Sequence, residues 1–131
     1  MQGRGQGHRW RGRRGPRRPV RFLEPALLLL LWDSPAHGYP LLDQLPEFGL
    51  AGIDPSVVYR ALRDMEDQGW VSSVWDEQQT QGPPRRVYRL SPQGREVLDW
   101  WSQDLQETRR IIDVFLDRYN HHIQQVREGG E

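Results

Sequence analysis

Cysteine and lysine are both absent from this chain of 131 residues, and long hydrophobic runs are absent too. Without cysteine there are no disulfides, thiolate metal ligands or thiol nucleophiles, which fits a reducing compartment. The longest apolar run, Ala26–Trp32, has seven residues, whereas a helix needs about 20 to span a bilayer. No small-residue cleavage site follows this run, so it does not read as a secretory signal. We therefore expect a cytoplasmic protein with no membrane partner.

Charge is unevenly distributed along the chain although the formal net charge is zero. The first 21 residues contain eight arginines and no acidic residue, whereas residues 92–131 contain five arginines and eight acidic residues. Residues 1–19 have almost nothing apolar to bury, which predicts a disordered arm rich in arginine and glycine. Such an arm either lies along DNA phosphates or in a minor groove, or serves only as a solubilising tail.

Three helices with short breaks are predicted between residues 20 and 69. The first covers residues 20–33, with Glu24 and Pro25 in its first turn, and is apolar nearly all round, as a central core helix would be. The second helix begins at His37 and runs to about Leu45, after which Pro46 ends it. His37 itself is interpreted as a capping or otherwise satisfied polar residue. The third follows an N-cap at Asp54 and ends at Gly69. This order matches a helix-turn-helix arrangement.

The third helix has two different faces. Its apolar stripe follows i, i+3, i+4 and i+7 spacing and comprises Val58, Ala61, Leu62 and Met65. The opposite face and the start of the helix carry the predicted DNA-binding residues Pro55, Ser56, Tyr59, Arg60 and Arg63. Their polar side chains donate hydrogen bonds to phosphates or base edges, whereas acidic residues lie toward the other end. This separation of hydrogen-bond donors from acidic residues favours insertion of the N-terminal half of the helix into a DNA groove. The alternative is a surface helix of mixed charge.

A β-hairpin is predicted after Gly69. Residues 70–75 favour a strand, residues 76–84 form a polar loop, and residues 85–90 favour a second strand. A hairpin that follows a helix-turn-helix is a wing, and Arg85 and Arg86 lie where its returning strand begins. We expect these arginines to touch a phosphate or the minor groove; the alternative is a solvated strand end. The tryptophans at 32, 70 and 75 are predicted in the core.

A long final helix is predicted from the Ser91 cap and Pro92 to about Arg127, roughly 50 Å. Apolar residues follow heptad-like spacing from Trp101 onward, which predicts a seam with a second copy of the chain. The predicted dimer contacts are Leu105, Ile112, Phe115 and Tyr119. The alternative, that the helix folds back on its own domain, suits only its first half. The fold class is therefore mainly α with a small β-hairpin: a winged helix-turn-helix over 20–91, then a dimerisation helix and short tail over 92–131.

Three blocks of this sequence resemble the PadR family of winged-helix transcriptional regulators: SPAHGYPLLDQL (34–45), IDPSVVYRALRDMEDQGWV (53–71) and GPPRRVYRLSPQGREVL (82–98). The resemblance covers about residues 22–100, and the single terminal helix is similar to the short branch of the family. It implies a homodimeric repressor that binds double-stranded DNA at an inverted-repeat operator. Some members respond to hydrophobic small molecules held between terminal helices. Trp100 and Trp101 occupy the corresponding place, although plain packing is the other explanation of this pair.

No pattern in the sequence indicates an enzyme. It has no phosphate-cradling glycine loop and no serine, histidine and aspartate set, and its four histidines do not have metal-ligand spacing. We therefore expect no catalytic residues, metal or cofactor. The other class of function to consider is a protein-interaction adaptor that uses a winged-helix fold and has only non-specific DNA affinity. An RNA-binding role through the arm is less favoured, because the arm lacks regular aromatic residues for stacking.

Overall fold

The computed structural model describes residues 18–76, 78, 82 and 85–129, with side chains from Phe22 onward. Its elements are α1 (Arg18–Asp33), α2 (Gly38–Gln44), a 3-10 turn (Leu45–Phe48), α3 (Pro55–Asp67), β1 (Val71–Trp75), β2 (Arg86–Leu90) and α4 (Pro92–Gly129). The predicted arm lies outside the described residues except for Arg18 and Pro19, which belong to α1. The chain divides into two compact units between Arg95 and Glu96.

The core of the first unit lies where α1, α2, α3 and the hairpin pack together. Its largest fully buried side chains are Leu27, Leu28, Leu41, Leu45, Val58, Leu62 and Met65. Burial of each aliphatic side chain contributes roughly 1.5–3 kcal/mol, so this cluster is the main force that holds the unit together. The predicted apolar stripe of α3 is confirmed, because three of its four residues are fully buried and Ala61 is half-buried.

The first helix begins earlier than the sequence predicted. Pro25 was expected in its first turn but lies inside α1. Proline in a helix interior removes one main-chain hydrogen bond and costs about 3 kcal/mol or more. The apolar face continues through this position, since Leu23 and Ala26 on either side of Pro25 are buried, and this packing offsets the lost bond. The second helix also ends differently, because Pro46 lies within the 3-10 turn that extends it to Phe48.

The ends of α3 and the start of α4 are confirmed in detail. Asp54 caps α3, and Gly69 follows its end with φ of 85°, a left-handed conformation that glycine adopts without strain. The Ser91 hydroxyl accepts a hydrogen bond from the Gly94 N–H at 2.9 Å and donates one to the Gly69 carbonyl at 2.6 Å. Ser91 therefore caps α4 and ties its first turn to the end of α3.

The two strands pair antiparallel, with Val71 opposite Leu90 and Trp75 opposite Arg86. Ala36, between α1 and α2, adds a bridge to the outer edge of β2. It exchanges two main-chain hydrogen bonds with Tyr88, at 3.0 and 2.8 Å. The segment that enters the helix-turn-helix is thus joined directly to the wing.

Two of the three tryptophans predicted in the core are exposed. Trp32 and Trp75 leave 51% and 54% of their surface accessible, while Trp70 is half-buried. Each exposed ring is covered on one face by an arginine, Arg95 at 4.0 Å over Trp32 and Arg86 at 4.5 Å over Trp75. Both residues lie at the end of their elements, where the core no longer reaches them.

The second unit consists of the rest of α4. At 38 residues, the whole helix is about 57 Å long. None of the helices among the described residues is both long and apolar enough to cross a membrane.

Candidate nucleic-acid interface

The start of α3 is held by the side chain of its cap. The Ser56 main-chain N–H and hydroxyl both donate to Oδ1 of Asp54, at 2.8 and 2.9 Å. These two hydrogen bonds lower the pKa of the Asp54 carboxyl, so it stays ionised. The hydroxyl proton of Ser56 is therefore committed to the cap, and Ser56 must rotate to donate to a phosphate. Pro55 and Ser56 are both exposed.

The predicted reading face of α3 contains two exposed arginines and one half-buried tyrosine. Arg60 and Arg63 extend into solvent, whereas Tyr59 packs against the start of α2. A Cβ built on Gly38 would lie 2.4 Å from Cε1 of Tyr59 and 2.9 Å from its hydroxyl oxygen. Only glycine leaves room for the ring at this position. Tyr59 therefore joins the two helices of the helix-turn-helix as well as flanking the reading face.

Gly38→Ala is expected to displace the Tyr59 ring, because the added methyl group would overlap it. We expect overpacking to destabilise the domain by about 1–3 kcal/mol and to weaken specific DNA binding. Thermal unfolding and DNA titration measure the two effects. In Gly129→Ala, where a Cβ meets nothing within 4 Å, neither should change. The double variant Gly38→Ala/Tyr59→Ala should be no less stable than Tyr59→Ala alone; an additive loss would show that the clash is elsewhere.

The opposite end of α3 is acidic. Burial raises the pKa of Glu24 on α1, and the charge of Asp64 on α3 raises it further. Glu66 and Asp67 add two further acidic side chains at this end of α3. A DNA phosphate would be repelled by the same charges, so only the N-terminal half of α3 suits a groove.

Arg86 is held in place on the wing. Its Nη1 donates to the Ser73 hydroxyl at 2.7 Å, and that hydroxyl donates to Oε2 of Glu66 at 2.7 Å. Its guanidinium also covers the ring of Trp75. The side chains of Arg86, Ser73 and Glu66 thus connect the wing with the end of α3, so the position of Arg86 depends on both elements. Arg85 is exposed immediately before it.

His37 occupies the N-cap position of α2 but makes no side-chain capping bond. Its Nδ1 lies 3.0 Å from the Arg86 carbonyl oxygen, and its Nε2 lies 3.1 Å from Oδ2 of Asp76. The interpretation of His37 as a capping residue is therefore wrong, whereas that of a satisfied polar residue is confirmed. The contacts of His37 with the wing carry no sequence signal, because its partners Asp76 and Arg86 lie 39 and 49 residues further along the chain.

Apolar side chains are exposed along α4 in the second unit. Among the four predicted dimer contacts, Ile112, Phe115 and Tyr119 are about half accessible and Leu105 is half-buried. The rings of Phe115 and Tyr119 pack edge to face, with centroids 6.3 Å apart. Trp100 and Trp101 make the same kind of contact at 5.3 Å, and Trp100 is 58% accessible. In a single chain Trp100, Phe115 and Tyr119 are exposed, whereas Trp101 is half-buried.

A sequence profile described as the transcriptional regulator PadR-like family matches residues 27–99, which contain α2, α3, the hairpin and the start of α4. The chain belongs to the PadR-like family. It is accordingly a winged-helix, DNA-binding transcriptional regulator, and members of this family are regulators rather than enzymes. No curated protein matches the chain.

Solved structures support membership of the PadR-like family. A conserved protein of unknown function, described as a potential transcriptional factor, is 33% identical, with a TM-score of 0.69 over 86% of this chain and 99% of that one. A PadR family transcriptional regulator from Eggerthella lenta is 28% identical, with a TM-score of 0.66 over 75% and 84%. A PadR-like transcription factor from Bacteroides fragilis is also 28% identical, with a TM-score of 0.61 over 72% and 89%.

Proposed function

We propose that this PadR-family regulator acts in the cytoplasm as a homodimeric repressor that binds an inverted-repeat operator. The observation that carries the proposal is the polarity of α3. The exposed guanidinium donors of Arg60 and Arg63 lie on the face that begins at Ser56, while acidic residues crowd the C-terminal end of the helix. Base edges in the major groove are read by such donors on the first turns of a helix. A repressor of this kind blocks transcription by occupying its operator.

The wing extends the proposed reading surface. Arg85 and Arg86 begin β2, and the guanidinium of Arg86 is already oriented by Ser73 and Trp75. A guanidinium that is held before binding loses less side-chain entropy when it meets a phosphate. We propose that residues 20–91 form the DNA-binding domain and that these two arginines contact the backbone beside the helix.

Dimerisation is proposed through α4, within residues 92–131. Its exposed apolar side chains repeat with heptad-like spacing, and a contiguous stripe of this kind is normally covered by a partner. A second copy of the same helix presents the same stripe, so a two-fold symmetric contact covers both at once. Two-fold symmetry in the protein then requires an inverted repeat in the operator.

A small hydrophobic effector that relieves repression is proposed at Trp100 and Trp101. Their edge-to-face contact leaves Trp100 largely accessible, and a flat apolar molecule can stack on an exposed indole. Titration with planar aromatic compounds should quench tryptophan fluorescence in the wild type but not in Trp100→Ala. An unchanged response in that variant would remove Trp100 from the proposed site.

The test of DNA binding is fluorescence anisotropy with DNA from the region upstream of the chain's own gene, against scrambled DNA, at about 50 and 200 mM salt. A preference of about a thousandfold supports a specific reader. If the protein binds both DNA sequences equally and this binding is lost at the higher salt concentration, the operator must be sought by selection from random sequences. Failure of that search would oppose the proposal.

Arg60→Ala is expected to weaken operator binding by about 1–3 kcal/mol, because a bidentate contact with a base would be lost. The matched control is Arg109→Ala, which removes the same charge from an exposed position on α4. Anisotropy titrations of both variants should show the loss only at Arg60. Operator affinity equal to wild type in Arg60→Ala would contradict the assignment of the reading face.

The second candidate function is a protein-interaction adaptor with a winged-helix fold. It is favoured by charge, since residues 22–91 contain five arginines and ten acidic residues. A domain with this excess of negative charge is repelled by DNA unless another segment compensates. Specific binding in the anisotropy experiment would reject the adaptor, whereas weak and sequence-independent binding would favour it.

A further inference from the structure

His37 joins three parts of the first unit at one point. The residue lies between α1 and α2, directly after the Ala36 bridge to Tyr88. One ring nitrogen faces the Arg86 carbonyl on β2, and the other faces the Asp76 carboxylate just after β1. Asp76 and Arg86 lie at the two ends of the hairpin loop, so the imidazole bridges the base of the loop and fastens it to the start of α2.

Both partners of the ring are hydrogen-bond acceptors. A carbonyl oxygen has no proton to give, and an ionised carboxylate has none either. A neutral imidazole carries one N–H, so it can satisfy only one partner while the lone pair of its other nitrogen faces an oxygen. The doubly protonated ring donates to both. The observed distances of 3.0 and 3.1 Å therefore fit the imidazolium form of His37.

The surrounding charges determine which groups this proton affects. From the hairpin, Asp76 faces the ring, while its other carboxylate oxygen accepts from the Gln78 N–H at 3.0 Å. The Arg86 guanidinium is bound to Ser73 and Trp75, and Arg85 lies beside it. On α2, Gly38 follows the ring and is covered by Tyr59 of α3. Glu66 lies beyond Ser73 at the end of the same chain of contacts.

We propose that His37 is a positioning residue for the wing, which holds Arg86 in its DNA-binding position only when the imidazole is doubly protonated. The proposal rests on the function proposed above, because the wing must contact DNA for its position to matter. Histidine changes charge between about pH 5 and 8. Specific DNA binding should therefore weaken as pH rises through this interval, when one of the two hydrogen bonds is lost.

The decisive measurement is specific DNA affinity at about pH 6 and pH 8 at constant ionic strength. In the wild type we expect affinity to fall by about three- to tenfold, since loss of one coupled proton changes affinity by at most tenfold per pH unit. His37→Gln cannot gain a charge and should show no fall. Asp76→Asn should show no fall in affinity either, because the asparagine amide can donate to a neutral imidazole or accept from a charged imidazolium. The change between the two pH values, rather than affinity itself, is the readout.

His121→Gln is the matched control, because it removes a titrating histidine that lies outside the wing contact, on α4. It should keep the wild-type fall in affinity. A merely structural role of His37 would lower affinity equally at both pH values and leave the fall intact in His37→Gln. That result, or a wild type whose affinity does not change with pH, would overturn the proposal.

Nuclear magnetic resonance of the free protein separates this proposal from the function on which it rests. At about pH 6, both ring N–H protons of His37 should exchange slowly with water, and one should become labile at about pH 8. If specific DNA binding is absent at both pH values, the proposed function is rejected, and with it the role of His37 in positioning the wing for DNA. Rapid exchange of both protons at the lower pH would reject the hydrogen-bonded imidazolium itself.

Discussion

Phe115→Glu is expected to separate the dimer into monomers and to weaken operator binding about a hundredfold or more. Phe115 lies within the heptad-like seam of α4 and is 55% accessible in the single chain. A glutamate there would place two like charges in the apolar contact of a symmetric dimer, and burying unpaired carboxylates costs several kcal/mol. Monomers would each hold one half-site and lose the advantage of linked binding, which reaches about 10²–10⁴-fold.

Sedimentation equilibrium measures the mass of the Phe115→Glu variant, and anisotropy measures its DNA affinity. Gln103→Glu is the matched control, because it adds the same charge at an exposed position outside the heptad-like seam. It should remain a dimer and bind the operator as the wild type does. A Phe115→Glu protein that stays dimeric would place the interface elsewhere, and a monomer with full affinity would contradict binding to an inverted repeat.

Deletion of residues 1–17 is expected to weaken binding to every DNA sequence and to flatten its dependence on salt. The deleted segment contains six arginines and no acidic residue. Without residues 1–17, the chain has twelve arginines against eighteen acidic residues, so the remainder opposes DNA electrostatically. Each phosphate contact contributes about 0.9 to the slope of log affinity against log salt. If every deleted arginine binds a phosphate, the slope should fall by about five.

The control for this deletion keeps the charge and changes its geometry. Replacement of the six arginines by lysine preserves the charge but removes the planar guanidinium. We expect this variant to keep the wild-type slope and the wild-type preference for operator over scrambled DNA. If the deletion alters sequence preference instead, the arm reads the minor groove. If neither affinity nor slope changes, the arm is a solubilising tail and the charge must be compensated elsewhere.

The elements of this protein are readable from the chain because their signals are local. The apolar stripe of α3 repeats at helical spacing, Asp54 and Ser91 cap helices that start at the next residue, and Gly69 follows the last turn. Such patterns depend on neighbours within one or two turns, so the sequence alone is sufficient. The family resemblance rests on the same blocks.

The predictions from sequence were wrong where local helix signals and hydrophobicity competed with tertiary packing. Pro25 ordinarily indicates the start of a helix, yet burial of its neighbours carries α1 through it. Tryptophan is highly buried on average, yet Trp32 and Trp75 lie at the ends of their elements and are 51% and 54% accessible. Hydrophobicity predicts a tendency to be buried, whereas the length of the neighbouring elements decides whether anything is present to cover the side chain.

The sequence by itself determined the order of the helices and strands, the apolar stripe of α3 and the uneven charge of the chain. Only the tertiary structure decided that Tyr59 packs on Gly38 and that His37 meets Arg86 across 49 residues. These contacts arise from the angles at which α2, α3 and the hairpin pack. The neighbours of His37 in the sequence do not predict these contacts, because a hydrogen bond between distant elements depends on how the whole core positions its donor and its acceptor.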